Sequence, residues 1–214
     1  MSQERKILLQ DIIFDVHSGP VGIAMSGGAD SAILAYILMK EKIDGPIHFF
    51  TYSQKDKSEV AKTHSIKVIE KLKELTGRTD VFHHIETVEN YDRNDFFLYM
   101  TEQVDNKLIN IMYMGTTRTP SDEELTEFKN KLDPKTYARR KQGIRYRFYA
   151  NEDKTYDPFL GITKKKIKEL YDEYEVIESL YPLTRSCESR KVFDKHCDEC
   201  WWCEERLWAF GKHS

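Results

Sequence analysis

The segment most able to do chemistry is Ser26-Gly27-Gly28-Ala29-Asp30-Ser31, which follows the apolar run Val21-Gly22-Ile23-Ala24-Met25. Adjacent glycines let backbone N–H groups turn toward a ligand with no Cβ in the way. A helix starting at Asp30 adds free N–H donors and partial positive charge at its N-terminus. Ser26 and Ser31 add hydroxyls, so the segment reads as a cradle for phosphate or pyrophosphate. Asp30 would repel such an anion unless a divalent cation lay between them, which suggests Mg²⁺. A plain strand-to-helix turn capped by Asp30 or Ser31 is the simpler alternative, but a cap needs one such residue and no double glycine. The segment lacks the Gly-Lys-Ser/Thr ending of a Walker loop and the spacing of the Gly-x-Gly-x-x-Gly dinucleotide fingerprint.

The second chemical cluster is Cys187, Cys197, Cys200 and Cys203, which are all the cysteines of the chain. A Cys-x2-Cys pair places two thiolates on one tetrahedral metal from a single turn, and four thiolates close its shell. Zinc bound in this way is structural, with no open coordination position. An iron–sulfur cluster is the rival, because cysteine ligands alone do not separate the metals. Disulfides are disfavoured in the reducing cytosol. His196 reads as a neighbour of the site rather than a ligand, and Trp201, Trp202 and Trp208 as packing around it.

The elements that must position these groups follow from periodicity. Residues 5–16 are predicted as an opening helix with Ile7, Leu8, Ile12 and Ile13 on one face, ending at Ser18-Gly19-Pro20. Strands are expected over 21–25, 47–52, 81–85 and 108–114, and helices over 30–42, 58–75, 92–104, 164–174 and 204–210. Residues 118–158 show no clear period. Short apolar strands alternating with amphipathic helices give an α/β fold with a mostly parallel, Rossmann-like sheet. Ligands then sit outside the C-terminal strand ends, near Ser26, Tyr52, His84 and Gly115.

With 214 residues, 40% hydrophobic and 32% charged, the chain can bury a core without disulfides. Its net charge of −3 supplies no basic field, so nucleic acid is not expected as a direct partner. No apolar run approaches the roughly 20 residues needed to cross a bilayer, and the first residues do not resemble a signal peptide. A cytoplasmic location is expected. Arg139-Arg140-Lys141 with Arg145-Tyr146-Arg147-Phe148-Tyr149 is the one basic, aromatic stretch, read as a solvated loop or edge strand more than as a grip on pyrophosphate or RNA. His83-His84 reads as structural.

The Ser-Gly-Gly-x-Asp-Ser pattern resembles the signature of the PP-loop ATP pyrophosphatases. That resemblance implies cleavage of ATP between its α- and β-phosphates, with Met25, Ser26, Gly27, Gly28, Asp30, Ser31 and Tyr52 at the nucleotide. Within that group the chain is most similar to the 7-cyano-7-deazaguanine synthases, from Val21 to Phe210. Their terminal Ser-Cys, Cys-x2-Cys-x2-Cys-x2-Arg pattern is matched by Ser186-Cys187, Cys197, Cys200, Cys203 and Arg206. Their block after the second strand is matched by Thr51-Tyr52-Ser53-Gln54-Lys55-Asp56 with Glu59. The Leu-Thr-Lys-x-Glu-Ile block is matched by Ile162-Thr163-Lys164-Lys165-Lys166-Ile167, preceded by Pro158-Phe159.

By this resemblance the fold is a PP-loop ATP-binding domain over 1–180 with a zinc-binding subdomain over 181–214. The implied reaction adenylates 7-carboxy-7-deazaguanine and amidates it with ammonia, and can continue to the nitrile, in queuosine biosynthesis. Asp30, Ser31 and Lys164 take the catalytic positions, and Gln54, Gly115 and Thr116 the substrate positions. A lysine in a Lys164-Lys165-Lys166 run also fits a solvated helix start. The implied cofactors are ATP, Mg²⁺ and Zn²⁺, and a homodimer is implied as well. The chain departs from the family at Gly115-Thr116-Thr117, at Asp56 and at Glu188, where a base or acceptor would be held. A tRNA thiolase or a conjugating enzyme using the same activated carboxylate is the alternative, although thiolation needs a redox-active cysteine and all four are committed to metal.

Overall fold

A computed structural model describes residues 5–9, 12–41, 43–55, 59–90, 92–127, 153–187 and 196–213. The basic stretch 139–149, Asp56 and Glu188 lie outside the described residues. A hairpin of β1 (Arg5–Leu9) and β2 (Ile12–Val16) opens the chain, followed by β3 (Val21–Ala24) and helix α1 (Ala29–Lys40). Then come β4 (Ile47–Gln54), α2 (Glu59–Thr76), β5 (Val81–Val88), α3 (Arg93–Asp105), β6 (Ile111–Tyr113) and the short α4 (Asp122–Thr126). The series closes with β7 (Thr155–Tyr156), α5 (Lys164–Glu173), a single 3-10 turn at Tyr181–Leu183 and α6 (Trp201–Phe210).

Five strands form one parallel sheet in the order β5-β4-β3-β6-β7. Both faces are covered, as the alternation of side chains along β3 and β4 shows. Val21, Ile23, Ile47 and Phe49 enter the large core with α1, α2 and α5. Phe50, Met112 and the half-buried Ala24 and Tyr52 point the other way, into a smaller cluster with Met100 and Phe96 of α3. The fold is therefore the expected Rossmann-like α/β arrangement. The order reverses around β3, whose C-terminal end carries the glycine segment. Helix α1 is buried from Ser31 to Met39, between the sheet, α2 and α5. The large core also takes Tyr181, Ala209 and Phe210 from the C-terminal segment.

The opening helix is a correction: residues 5–9 and 12–16 pair as antiparallel strands, Ile7 opposite Phe14. Ile7, Ile12, Ile13, Phe14 and Val16 are β-branched or aromatic and favour a pleated surface. The decisive contacts are distant in sequence. The Asp15 amide donates to the Tyr156 hydroxyl at 3.0 Å, and the Tyr113 hydroxyl donates to the Asp15 carbonyl at 2.9 Å.

Candidate active site and metal centre

The glycine segment turns sharply where β3 meets α1. Gly27 has φ +75°, and a Cβ there would lie 2.7 Å from His64 Cβ and 2.8 Å from the Ser65 amide of α2. Only glycine suits that turn, both for its left-handed backbone and for the closeness of α2. Gly28 is the N-cap of α1 and supplies no side-chain cap, so the helix presents its first amides without one. Ser26 is exposed, and its hydroxyl accepts from the Gly28 amide at 3.2 Å. Ser31 Oγ is 3.3 Å from Ser26 Oγ and donates to the Gly28 carbonyl at 3.1 Å. Met25 is buried behind them, its carbonyl accepting from Thr51 Oγ1 at 2.8 Å. The outcome is a turn with hydroxyl and amide groups at the C-terminal edge of the sheet, a cradle in the making.

Lys164 reaches this cradle from the far side. It is the first residue of α5, only 5% exposed, and its Nζ donates to Asp30 Oδ2. A solvated helix start is thereby ruled out for Lys164. Its neighbour Lys165 is the solvent-side lysine, paired with Glu127 at 2.9 Å. Asp30 Oδ1 is buried with no hydrogen-bond partner among the described residues. Gly115, just past β6, presses on the same turn: a Cβ there would meet the Ser31 amide at 3.0 Å and Asp30 carbonyl carbon at 3.1 Å. The next residue, Thr116, donates its amide to Asp157 Oδ1 at 2.9 Å. Burial pushes the Asp157 carboxyl up to about 7; the Thr116 amide opposes this and the nearby Asp30 charge adds to it.

Two carboxyls thus meet at the cradle, one with an unsatisfied buried oxygen and the other with its ionisation suppressed. That donor set suits a hard divalent cation such as Mg²⁺, which takes one or two carboxylates and otherwise water or phosphate oxygens. When bound, such an ion offsets phosphate charge. Asp157 was not singled out from sequence. Its signal was the Asp-Pro that follows a two-residue strand too short to show a period.

Of the remaining expected residues, Tyr52 and Gln54 lie toward the α3 side of β4. Tyr52 packs edge-on to Phe96, centroids 5.6 Å apart, and tilted to Tyr99 at 5.8 Å. Gln54 Nε2 donates to the Glu89 carbonyl at 3.0 Å. The histidine pair lies within β5: His84 is 2.9 Å from His48, and His83 is 2.9 Å from Thr51 Oγ1. Burial lowers His83 to about 4, which fits a neutral structural role.

The four cysteine sulfurs all lie within 4.8 Å of one another, with Cys197 and Cys203 at 3.9 Å. A tetrahedral ion with metal–sulfur bonds of about 2.3 Å holds its sulfurs about 3.8 Å apart. The cluster is compact enough for the four sulfurs to hold one ion. A four-iron cluster would hold the thiolates on the outside of a cube and spread them further. Cys203 is pushed above its usual range by the Cys200 thiol beside it and by burial, as expected for thiols that need a cation to deprotonate together. Trp201 packs on Leu125 of α4 with Trp202 and Trp208 against the same cluster. Trp208 Nε1 also donates to Glu127 at 2.6 Å.

No model of a known family matches the chain, and no curated protein matches it. Solved structures with a similar fold include the U34-tRNA thiolase NcsA of Methanococcus maripaludis with its [4Fe-4S] cluster, at 15% identity and a TM-score of 0.45. That match covers 73% of this chain and 56% of the thiolase, so this chain spans little more than half of that protein. NMN synthetase of Francisella tularensis shares 14% identity over 92% of this chain and 78% of its own, with a TM-score of 0.49. A "predicted subunit of tRNA methyltransferase" of Methanocaldococcus jannaschii shares 16% over 72% and 74%, with a TM-score of 0.36. Likenesses at this level decide nothing about this chain and leave the chemistry to its own residues.

Proposed function

We propose that the chain is an ATP-dependent enzyme that activates a carboxylate as its adenylate. The observation that carries this reading is the uncapped start of α1 behind Gly27 and Gly28, with the buried Asp30–Lys164 pair at its mouth. Loop amides, two serine hydroxyls and Lys164 supply donors for a polyphosphate, and Asp30 with Asp157 supplies acceptors for its cation. In the first step a carboxylate oxygen attacks the α-phosphorus, the bond to the β-phosphate oxygen breaks, and pyrophosphate leaves. In the second, ammonia attacks the acyl carbon, a proton is lost, and AMP leaves to give the amide. A carboxylate is a poor electrophile, and AMP gives it the leaving group it lacks. Lys164 is placed to balance charge that builds on the phosphates.

The resemblance in sequence supports 7-carboxy-7-deazaguanine as the substrate carboxylate, with the amide oxygen attacking a second ATP as pyrophosphate leaves, and AMP and two protons then lost to give the nitrile. Zinc is the proposed ion of the cysteine site, supported by the sulfur spacing. A second reading keeps the adenylation and changes the acceptor: Gln54, expected at the base edge, is engaged with the Glu89 carbonyl instead.

The test is pyrophosphate release from Mg-ATP with ammonium and 7-carboxy-7-deazaguanine, with products weighed by mass spectrometry. AMP, pyrophosphate and nitrile are expected, all lost in Asp30→Ala. ADP and orthophosphate in place of AMP and pyrophosphate would sink the reaction class. An amide or free adenylate as the end product would move the proposal to the second reading.

A further inference from the structure

The stretch 181–187 is where the phosphate cradle and the cysteine cluster meet. Its backbone closes on the cradle: the Arg185 amide donates to the Gly27 carbonyl at 2.8 Å. The Leu183 carbonyl accepts from the ring N–H of His64, the side chain that backs Gly27. Two residues beyond Arg185 is Cys187, a member of the metal cluster. Two residues span at most about 7 Å, so the sulfur of Cys187 and the amide that clamps Gly27 share one short piece of backbone.

Helix α6 grips the same stretch from the other side. Arg206 follows Cys203 by three positions, on the same face of α6. It is 0% exposed. Its Nη2 donates to the carbonyls of Tyr181 and Thr184, both at 3.2 Å, and to Thr184 Oγ1 at 2.8 Å. Nη1 reaches Ser186 Oγ at 3.2 Å, Nε reaches the His213 carbonyl at 2.6 Å, and the guanidinium lies 4.0 Å over the Tyr181 ring. A planar fork of five donors can hold several acceptors at once in one fixed arrangement, and a lysine cannot. Arg206 thus ties the helix that carries Cys203 to the strand of chain that carries Arg185 and Cys187.

We propose that Arg206 is a positioning residue for the phosphate loop, transmitting metal occupancy at Cys187, Cys197, Cys200 and Cys203 to Gly27 through the 181–187 stretch. The ion holds α6 and Cys187 in register; Arg206 locks Tyr181, Thr184 and Ser186 to that register; the Arg185 amide then fixes the Gly27 carbonyl, which sets where the amides of Gly28 and Ala29 point. This inference rests on the proposed nucleotide site only in its affinity readout.

The test compares hydrogen exchange at peptides covering 24–31, 181–187 and 47–53 in metal-loaded wild type, in chelated wild type and in Arg206→Met. Cobalt(II) is used as the metal, because its thiolate absorption reports an intact four-sulfur site. Exchange is expected to rise about tenfold or more at 24–31 and 181–187 on chelation and in Arg206→Met, with 47–53 unchanged. The cobalt spectrum should persist in Arg206→Met, and Arg206→Lys should recover only part of the protection. Affinity for a non-hydrolysable ATP analogue should fall about 10–100-fold in Arg206→Met. Unchanged exchange at 24–31 in a cobalt-loaded Arg206→Met would overturn the proposal. So would loss of the cobalt spectrum in that variant, since Arg206 would then serve the metal site alone. Should Arg206→Met not fold, Thr184→Val removes one acceptor and keeps the charge, and must raise exchange at 24–31 for the proposal to stand. A loaded wild type that binds no adenine nucleotide would defeat the functional reading, while the exchange comparison would still decide the coupling.

Discussion

Gly27→Ala separates the backbone argument for the phosphate cradle from the packing argument. The left-handed backbone at φ +75° costs a non-glycine residue about 1–2 kcal/mol. The added methyl would also lie 2.7 Å from His64 Cβ and 2.8 Å from the Ser65 amide. The second of these is helix backbone and cannot swing away, and overpacking of this kind costs about 1–3 kcal/mol. Together the loss is about 2–5 kcal/mol, or about 4–20 °C in Tm for a chain of this size. Two controls divide that figure. Gly77 has φ +68° and open space around its Cβ position, so Gly77→Ala isolates the backbone cost. Gly161 has open space and no left-handed backbone, so Gly161→Ala should lie within about 1 kcal/mol of wild type. Urea or thermal unfolding of the metal-loaded variants, with binding of an ATP analogue, gives the readout. The expected order of stability is Gly161→Ala, then Gly77→Ala, then Gly27→Ala, with binding lost in the last alone. Wild-type Tm and binding in Gly27→Ala would refute the cradle geometry.

Further expectations concern charge and metal. Breaking the buried pair with Asp30→Asn or Lys164→Met should destabilise by a few kcal/mol each, and the double variant should recover about 0.5–3 kcal/mol relative to the sum, read from a double-mutant cycle. Asp157 holds its proton to about 7 in the fold, against 3.8 for the free group, so the folded state binds more protons between about pH 4 and pH 7 and stability falls as pH rises through that window. Asp157→Asn should abolish that slope and stabilise the metal-free cradle at pH 7.5 by no more than about 4 kcal/mol; urea midpoints that fall in parallel in both proteins would refute it. Elemental analysis should find one zinc per chain and a colourless protein, and Cys203→Ser should lose the ion and lower Tm; the broad visible absorption of an iron–sulfur cluster would refute the single-ion reading.

The cysteine cluster and the glycine segment were legible because each is local: a few residue types at short spacing already define a turn or a tetrahedral shell. The parallel sheet was legible because β3, β4 and β5 are apolar runs between helical patterns. The opening hairpin was not, since Ile7, Leu8, Ile12 and Ile13 fit a helical stripe about as well as two short strands. What decides it is the hydroxyl groups of Tyr113 and Tyr156, far along the chain. Strand β7 is two residues long and exists through its pairing with β6, so no period announces it, and Asp157 went unnoticed with it. Only the family resemblance sets Lys164 apart from Lys165 and Lys166 in the sequence; burial separates it from Lys165, and burial is a property of the fold. Arg185 carries no local mark of the hydrogen bond its amide makes to Gly27, and Arg206, visible in the sequence as the end of the cysteine pattern, carries none of its hold on Tyr181 and Thr184.

The helix starts divide along the same functional line. Asp92 caps α3 by accepting from the Asn94 and Asp95 amides, and Ser121 caps α4 in a reciprocal box with Glu124. Such caps each stabilise a helix by about 1 kcal/mol. Helices α1, α5 and α6 begin at Gly28, Thr163 and Cys200 with no side-chain cap. Two of these starts converge at the Asp30–Lys164 pair, and the third begins on a cysteine of the metal cluster. A lysine in the first turn of α5 also opposes the helix dipole, and a buried one doubly so. Among the described helix starts these features, unfavourable for folding on their own, fall where the proposed function puts a ligand: phosphate at α1 and α5, an ion at α6. Side-chain caps are present at α3 and α4 and absent at the three helix starts that carry the proposed site residues, which is the pattern expected when a sequence has been shaped for binding as well as for stability.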